Sequence, residues 1–263
     1  MLVQANGVGI NVEVSGPPGA PVVALGHSLG SSGRMWTPQI PELEKRWRVV
    51  NIDMRGHGGS EAPKGPYSFD DLAGDALGVL DALGVKQAHW VGLSIGGMIG
   101  QALALKAPER FLSFTLCATT SRIPPEMRPI WDERIAKVRK GGMAALWDET
   151  AARWFTGPYL AKHPPGVATV RGEFLNTSLE GYAGCSAAIQ KLDFIDRLGE
   201  VRKPVQVLCG ALDPSTPPAA SEAIHQRIAG SRLILVPDSM HIFNVEKAEE
   251  VTRALVDFLG SVR

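Results

Sequence analysis

The feature that most constrains the fold is an alternation of short apolar runs with helix-like segments along most of the chain. Runs such as 21–25 and 205–209 are largely apolar and β-branched, which is typical of buried parallel strands. Segments such as 69–83 and 95–107 carry helical patterns. This alternation requires right-handed crossovers, so the sequence predicts an α/β fold with a mostly parallel central sheet and helices on both faces.

The remaining elements follow from the same patterns. Residues 3–14 predict a hairpin that turns at Asn6-Gly7, and Ser68 is placed to cap the helix over 69–83. The other predicted strands are 48–52, 87–92, 111–117 and 232–236, and the other predicted helices are 36–47, 218–229 and 245–259.

The alternation stops between residues 120 and 193. This stretch holds three of the six tryptophans and helical patterns separated by Pro-Pro, Gly-Gly and Gly-Pro pairs. We therefore expect an inserted helical cap over 120–193, and an α/β core built from 1–119 and 194–263. A chain of 263 residues is long enough for such a core without disulfides or metal.

Composition excludes several classes of function. The 27 Lys and Arg balance the 27 Asp and Glu, so no basic field favours nucleic acid. The three cysteines lack disulfide or metal-ligand spacing, which indicates a reducing, cytoplasmic setting. No apolar run approaches a membrane span, and the amino terminus resembles a strand rather than a signal peptide. Neither a metal nor a cofactor is expected.

The strongest local motif is Gly92-Leu-Ser94-Ile-Gly96, which lies between a predicted strand and a predicted helix. In that setting G-x-S-x-G forms a sharp turn that lifts the serine hydroxyl above the sheet. The glycines two positions before and after the serine have no side chains that would collide in such a turn. The helix that follows points its first N–H groups toward charge developing at the serine. We therefore predict that Ser94 is a catalytic nucleophile.

A serine hydroxyl needs a base to make it nucleophilic near neutral pH. His163, His225 and His241 follow Ser94 in the chain. His163 lies beside two prolines of the predicted cap, and His225 lies inside a helical pattern. His241 follows the last predicted strand through a short loop, so we predict that His241 is the base.

The base in turn needs an acid to orient it. Asp213 follows the predicted strand 205–209 and is the favoured acid. Asp238 is the alternative, but it lies only three residues before His241 in the same loop, which is a poor separation for reaching the far ring nitrogen.

Acyl transfer also requires N–H donors for the tetrahedral oxyanion. We predict that one donor is the backbone N–H of Ile95, directly after Ser94. We predict that the other is the N–H of Leu29, in the loop after strand 21–25. His27 and His57 occur in loops at the same edge, where we expect them to brace the loops rather than act as bases.

Taken together, these residues resemble the α/β-hydrolase superfamily over the whole chain, and finer motifs resemble the 3-oxoadipate enol-lactonases. One departure is His27, where that family favours Asn. The motifs that carry the resemblance are Ser28-Leu-Gly30, Met35-Trp-x-Pro-Gln39, Asp53-x-Arg-Gly-His-Gly58, the stretch 60–67, Gly92-Leu-Ser-x-Gly-Gly97, Arg153-Trp-Phe-Thr156, Gly181-Tyr182 and Gly210-x-x-Asp-x-x-Thr-Pro217.

The resemblance implies hydrolysis of a small enol-lactone that carries a carboxylate, giving 3-oxoadipate in bacterial aromatic catabolism. An anionic substrate under an apolar cap needs a cation or a row of donors. Arg134 beside Trp131 is the first candidate for this role, and Arg153 beside Trp154 is the second. Each arginine could equally serve an exposed helix face or an ordinary ion pair.

Two alternatives remain at this level. The first keeps the chemistry and changes the substrate, as in a general carboxylesterase or a cofactor-free haloperoxidase acting as a perhydrolase. The second is a hydrolase-fold receptor that binds a small lactone, in which turnover would be slow or single. The expected partner is a small lactone or ester in each case, and the sequence does not select an oligomeric state.

Overall fold

A computed structural model describes residues 1–262 and contains one eight-stranded sheet in the order β1-β2-β4-β3-β5-β6-β7-β8. Pairing is antiparallel for β1 with β2 and for β2 with β4, and parallel for the other neighbours. The predicted α/β fold with a mostly parallel sheet is therefore confirmed. The strands are β1 (Leu2–Ala5), β2 (Val8–Ser15), β3 (Val22–Gly26), β4 (Arg48–Ile52), β5 (Ala88–Leu93), β6 (Phe111–Cys117), β7 (Val205–Gly210) and β8 (Arg232–Val236).

Helices connect the parallel strands. Because parallel strands share one direction, the loops after β3 to β8 open at the same edge of the sheet. The helices are α1 (Ile40–Leu43), α2 (Phe69–Ala82), α3 (Ile95–Lys106), α4 (Arg128–Gly141), α5 (Ala144–Trp154), α6 (Gly157–Leu160), α7 (Pro165–Asn176), α8 (Leu179–Gln190), α9 (Pro218–Arg227), α10 (Phe243–Glu246) and α11 (Ala248–Ser261).

Local sequence chemistry accounts for two boundaries. Asn6 and Gly7 both have positive φ, 52° and 77°, as a two-residue hairpin turn between β1 and β2 requires. Ser68 caps α2 by accepting from the Asp71 N–H, and the Asp71 carboxylate accepts from the Ser68 N–H in return. Both features agree with the sequence-based expectation.

Two predicted helices are wrong in extent. Instead of one helix over 36–47, a 3₁₀ turn covers Gly33–Trp36 and α1 covers only four residues. Pro38 and Pro41 lack the N–H groups that a continuous helix would need. The predicted closing helix 245–259 is divided at Lys247, whose φ of −122° and ψ of 48° are not helical, into α10 and α11.

Residues 120–193, which we call the cap, contain α4 to α8 between β6 and β7. The only strand-like pairing within this range is a single bridge from Arg122 to Asp193, where the chain enters and leaves the cap. Among the residues described, no helix is both long enough and apolar enough to cross a membrane.

Candidate active site

Ser94 lies on the sharp turn between β5 and α3. Its φ of 58° and ψ of −115° place a residue with a side chain in a region that glycine favours. Two hydrogen bonds to its backbone stabilise this conformation: the Ser94 N–H donates to the Cys117 carbonyl at 2.8 Å, and Thr119 Oγ1 donates to the Ser94 carbonyl at 2.8 Å. The turn is therefore held by the end of the neighbouring strand β6.

The glycines two positions before and after Ser94 are required by close backbone contacts. A Cβ atom on Gly92 would overlap the carbonyl of Gly96, and a Cβ atom on Gly96 would overlap the carbonyl of Gly26 at the end of β3. The Gly96 N–H also donates to the His27 carbonyl at 3.2 Å. The G-x-S-x-G spacing thus allows the turn and packs it against the loop after β3.

His241 and Asp213 form a buried hydrogen-bonded pair in the loops after β8 and β7. His241 Nδ1 donates to Asp213 Oδ2 at 2.8 Å, which leaves Nε2 free to accept a proton. Asp213 also accepts from the Thr216 hydroxyl at 2.8 Å and from the backbone N–H of Ser215 at 2.7 Å. Burial raises the pKa of Asp213, but the charge and hydrogen bond of His241 and the Thr216 donors outweigh it, so the pKa lies below its ordinary value.

Ser94 and His241 line the same cavity, beneath the cap. Among residues 1–262, no hydrogen bond within 3.5 Å joins their side chains. Such bonds are often loose without substrate and shorten when substrate binds. Asp238, the alternative acid, lies exposed in the turn after β8 with a φ of 49°.

The two predicted oxyanion donors come from the start of α3 and from the loop after β3. Ile95 begins α3, where the first N–H groups of a helix have no intrahelical acceptor. Leu29 lies in the loop after β3 and lines the cavity with Ser94. Within the described chain, neither the Leu29 N–H nor the Ile95 N–H donates to another group, so both can bind a developing oxyanion.

The cavity has a volume of about 310 Å³ and walls that are mainly apolar. The predicted cap residues Trp131, Arg134, Arg153 and Trp154 all line it. The Trp154 ring lies near parallel to the His241 ring, with 6.4 Å between centroids. Apolar lining residues that sequence reasoning did not single out include Met98, Ile123, Met127, Ile130, Phe174 and Ile189.

Two guanidinium groups of the cavity have no carboxylate partner. Neither Arg134 nor Arg153 forms a salt bridge with any group in residues 1–262. Arg134 donates to the Tyr182 hydroxyl from Nε at 3.0 Å and from Nη2 at 2.9 Å, and lies 5.6 Å from the Trp131 ring centroid. Burial, together with the positive charge of Arg134, lowers the pKa of Arg153.

Tyr182 is a site residue to which sequence reasoning gave no role, although it belongs to the quoted Gly181-Tyr182 motif. Its side chain is buried, and burial raises its pKa despite the nearby Arg134. Because Tyr182 accepts both bonds from Arg134, its own O–H proton remains available to a ligand oxygen.

A third guanidinium group of the cavity is already neutralised. Arg122 donates to Asp193 Oδ1 at 2.6 Å and also pairs with Asp196, so it joins the two ends of the cap. This pairing distinguishes Arg122 from Arg134 and Arg153, which face the cavity without a counter-ion.

Because three of its histidines are buried, we expect the protein to lose stability in acid. Burial lowers the pKa of His57 to about 3 and that of His89 to about 4, and it also lowers the pKa of His27. An unfolded histidine takes up a proton near pH 6.5, whereas these remain neutral in the native state, so the free energy of unfolding should fall below that pH. The expected slope is about 1.4 kcal/mol per pH unit for each such histidine.

Urea unfolding at pH 7.5, 6.0 and 5.0 measures this slope. A His89→Gln variant should show a shallower slope than the parent, because it removes one of the three groups without touching the cavity. Equal unfolding free energies at pH 7.5 and 5.0 would contradict the prediction.

Within the described part of the chain, no group of three or more His, Cys, Asp or Glu side chains is arranged to hold a metal ion.

Comparison with known proteins identifies the family of the chain. The family model of the alpha/beta hydrolase fold matches residues 21–248. The chain is 34% identical to 3-oxoadipate enol-lactonase 2 of Acinetobacter baylyi, covering 95% of this chain and 93% of that protein. It is 32% identical to a protein of Caulobacter segnis named as a carbamate hydrolase, RutD, covering 95% and 96%. The crystal structure of the enol-lactonase from Burkholderia xenovorans superposes with a TM-score of 0.95 at 39% identity, covering 99% of this chain and 100% of that one.

The turn that carries Ser94 and the His241–Asp213 pair thus lie in a chain that the family model matches over most of its length. The chain belongs to the α/β-hydrolase family, and it is a hydrolase.

Proposed function

We propose that this hydrolase cleaves the ester bond of a small enol-lactone that carries a carboxylate, with 3-oxoadipate enol-lactone as the substrate and 3-oxoadipate as the product. The observation that carries the proposal is the pair of guanidinium groups, Arg134 and Arg153, in the apolar cavity that also holds Ser94 and His241. Two cations in a mainly apolar cavity favour an anionic ligand, because among residues 1–262 no carboxylate forms a salt bridge with either of them. Glu149 attracts both arginines electrostatically, but its own salt bridge is with Lys137. The enol-lactonase relatives support the same substrate class.

In the first half of the reaction, Ser94 Oγ attacks the lactone carbonyl carbon while His241 Nε2 takes the hydroxyl proton. Asp213 keeps the proton of His241 on Nδ1 and stabilises the imidazolium. The oxyanion accepts from the Leu29 and Ile95 N–H groups. When the ring C–O bond breaks, the enolate oxygen leaves, takes a proton from His241, and tautomerises to the ketone.

In the second half, water attacks the acyl group on Ser94. His241 Nε2 takes a proton from the water, and the new C–O bond displaces Ser94 Oγ, which recovers its proton from His241. The sum is one lactone and one water converted into one keto dicarboxylic acid. The substrate carboxylate would meanwhile accept from Arg134, Arg153 and the unused O–H of Tyr182.

A panel of three substrates separates this proposal from its alternatives. It compares the enol-lactone, followed spectrophotometrically, with a neutral p-nitrophenyl ester and with a carbamate, the bond type in the name of the Caulobacter relative. We expect the highest kcat/KM for the enol-lactone, with many turnovers per active site. A preference for the neutral ester would favour a general carboxylesterase, and a single turnover would favour a receptor.

Arg134→Ala is expected to raise KM for the anionic lactone by about 10- to 100-fold, which corresponds to one charge-assisted contact. KM for the neutral p-nitrophenyl ester should change less than about 3-fold. Steady-state kinetics on both substrates measure this difference.

Arg139→Ala is the matched control, because Arg139 is exposed on the same helix α4 and does not line the cavity. It should leave both KM values unchanged. Equal effects of Arg134→Ala on the lactone and on the neutral ester would assign Arg134 to the structure of the cap instead.

A further inference from the structure

Two histidines link the loops after β3 and β4 in a reciprocal way. His27, in the first loop, accepts from the Met54 N–H of the second loop through Nε2 at 2.9 Å. His57, in the second loop, accepts from the Gly30 N–H of the first loop through Nε2 at 3.1 Å. The rings are tilted and lie 5.2 Å apart between centroids.

The other ring nitrogen of each histidine bonds within its own loop. His27 Nδ1 donates to the Ser28 carbonyl at 2.8 Å, and His57 Nδ1 donates to the Arg55 carbonyl at 3.1 Å. Each ring therefore has one donor and one acceptor in use, which is the pattern of a neutral imidazole with a fixed tautomer. Both side chains are buried, and burial lowers the pKa of each.

The positions of these bonds along the chain matter for the candidate oxyanion donor. The Ser28 carbonyl and the Leu29 N–H are the two ends of one planar peptide unit, so they point in opposite directions. A hydrogen bond from His27 to that carbonyl therefore also sets the direction of the Leu29 N–H. His57 fixes the next peptide unit through the Gly30 N–H, at a residue whose φ is +73°.

The two bonds thus restrain both peptide units that flank Leu29. The Ser31 N–H also donates to the Ser28 carbonyl, at 3.1 Å, so the bond from His27 is the second restraint on the Ser28–Leu29 unit. With only one restraint left, this unit would be freer to rotate, and its N–H could turn toward water or another carbonyl. An oxyanion donor is effective only if it is already aimed at the developing charge.

We propose that His27 and His57 are positioning residues for catalysis: His27 orients the Leu29 N–H toward the oxyanion through the Ser28 carbonyl, and His57 holds the following peptide unit in place. The proposal rests on the proposed function, since it takes Ser94 as the nucleophile and the Leu29 N–H as an oxyanion donor. It assigns these two histidines an effect on the transition state rather than on substrate binding.

The test compares His57→Leu, which removes the acceptor for the Gly30 N–H, with His57→Gln, whose side-chain oxygen can replace it. On a neutral p-nitrophenyl ester, His57→Leu should lower kcat by about 10- to 100-fold, somewhat less than deletion of one oxyanion donor. KM should change less than about 3-fold, and His57→Gln should recover most of the kcat. The ester is used so that the result does not depend on the lactone as substrate.

An arylboronic acid, which forms a tetrahedral adduct with a catalytic serine, provides a second readout. Its inhibition constant should rise with His57→Leu by about the same factor as kcat falls, because both depend on the oriented donors. A structural role alone would not couple the two quantities.

His89→Leu is the matched control for the loss of a buried neutral histidine. His89 lies on β5, bonds Ser113 through Nδ1 at 2.7 Å, and does not line the cavity. His89→Leu should lower the melting temperature while leaving kcat and the boronic acid inhibition constant unchanged.

If His57→Leu does not fold, His57→Asn replaces it, because the asparagine side chain is one methylene shorter than glutamine and cannot reach the Gly30 N–H. The proposal is overturned if the Leu or Asn variant keeps its kcat and boronic acid affinity, or if it raises only KM. Failure of the proposed function is seen separately, as full activity of a Ser94→Ala variant.

Discussion

Replacing Ser94 with alanine is expected to lower kcat by at least about 10⁴-fold for both the lactone and a p-nitrophenyl ester. Among the described residues that line the cavity, Ser94 is the only serine on a positive-φ turn between a strand and a helix. The Ile95 N–H directly follows it, and within residues 1–262 neither that N–H nor the Leu29 N–H donates to another group. Removing it eliminates the acyl-enzyme and leaves only water attack within the cavity. Stopped-flow and steady-state assays of both substrates measure the loss.

The fold should be intact in this variant. Ser94→Gly is a useful companion, because it removes the same oxygen and also relieves the φ of 58°, which costs about 1 kcal/mol for a residue with a side chain. It should be equally inactive and more stable to urea than the parent. Ser28→Ala, which removes a second buried serine hydroxyl of the same cavity, should keep most of the activity. Near-normal turnover by Ser94→Ala would exclude Ser94 as the nucleophile.

Structural features that depend on a few adjacent residues could be predicted from the sequence. The hairpin at Asn6-Gly7, the cap at Ser68 and the strand-turn-helix around Ser94 each rest on a few adjacent residues with specific backbone requirements. The order of loops along a parallel sheet then brings the turn, Asp213 and His241 to one edge. Helix extent was less accessible, because 36–47 satisfies a helical pattern although two prolines interrupt its hydrogen bonds.

The roles of residues that depend on contacts between distant parts of the chain could not be predicted from the sequence. Tyr182 acquires its role from Arg134, which lies 48 positions earlier on another cap helix. The orienting bonds of His27 and His57 cross between two loops, and which backbone group each ring meets depends on the path of both loops. A motif can indicate that such residues are fixed in place, but only the packed structure identifies the atoms they hold.

Asp213→Asn is expected to lower kcat by about 10⁴-fold, with a smaller effect on KM. Asp213 accepts from His241 Nδ1 at 2.8 Å and is itself oriented by the Thr216 hydroxyl and two backbone N–H groups. Those donors occupy carboxylate oxygens, so an amide in this place would turn an N–H toward His241. The ring would then carry its proton on Nε2, where it could no longer take the proton of Ser94.

Asp238→Asn decides between the two candidate acids. Asp238 is exposed in the turn after β8, and asparagine tolerates its φ of 49°, so this substitution should preserve both folding and kcat. Steady-state kinetics of the two variants, with far-ultraviolet circular dichroism to verify folding, measure the contrast. Because the acid must lie within hydrogen-bond reach of Nδ1, a large loss in Asp238→Asn with little loss in Asp213→Asn would transfer the orienting role to Asp238, and the loop after β8 would then have to rearrange during catalysis.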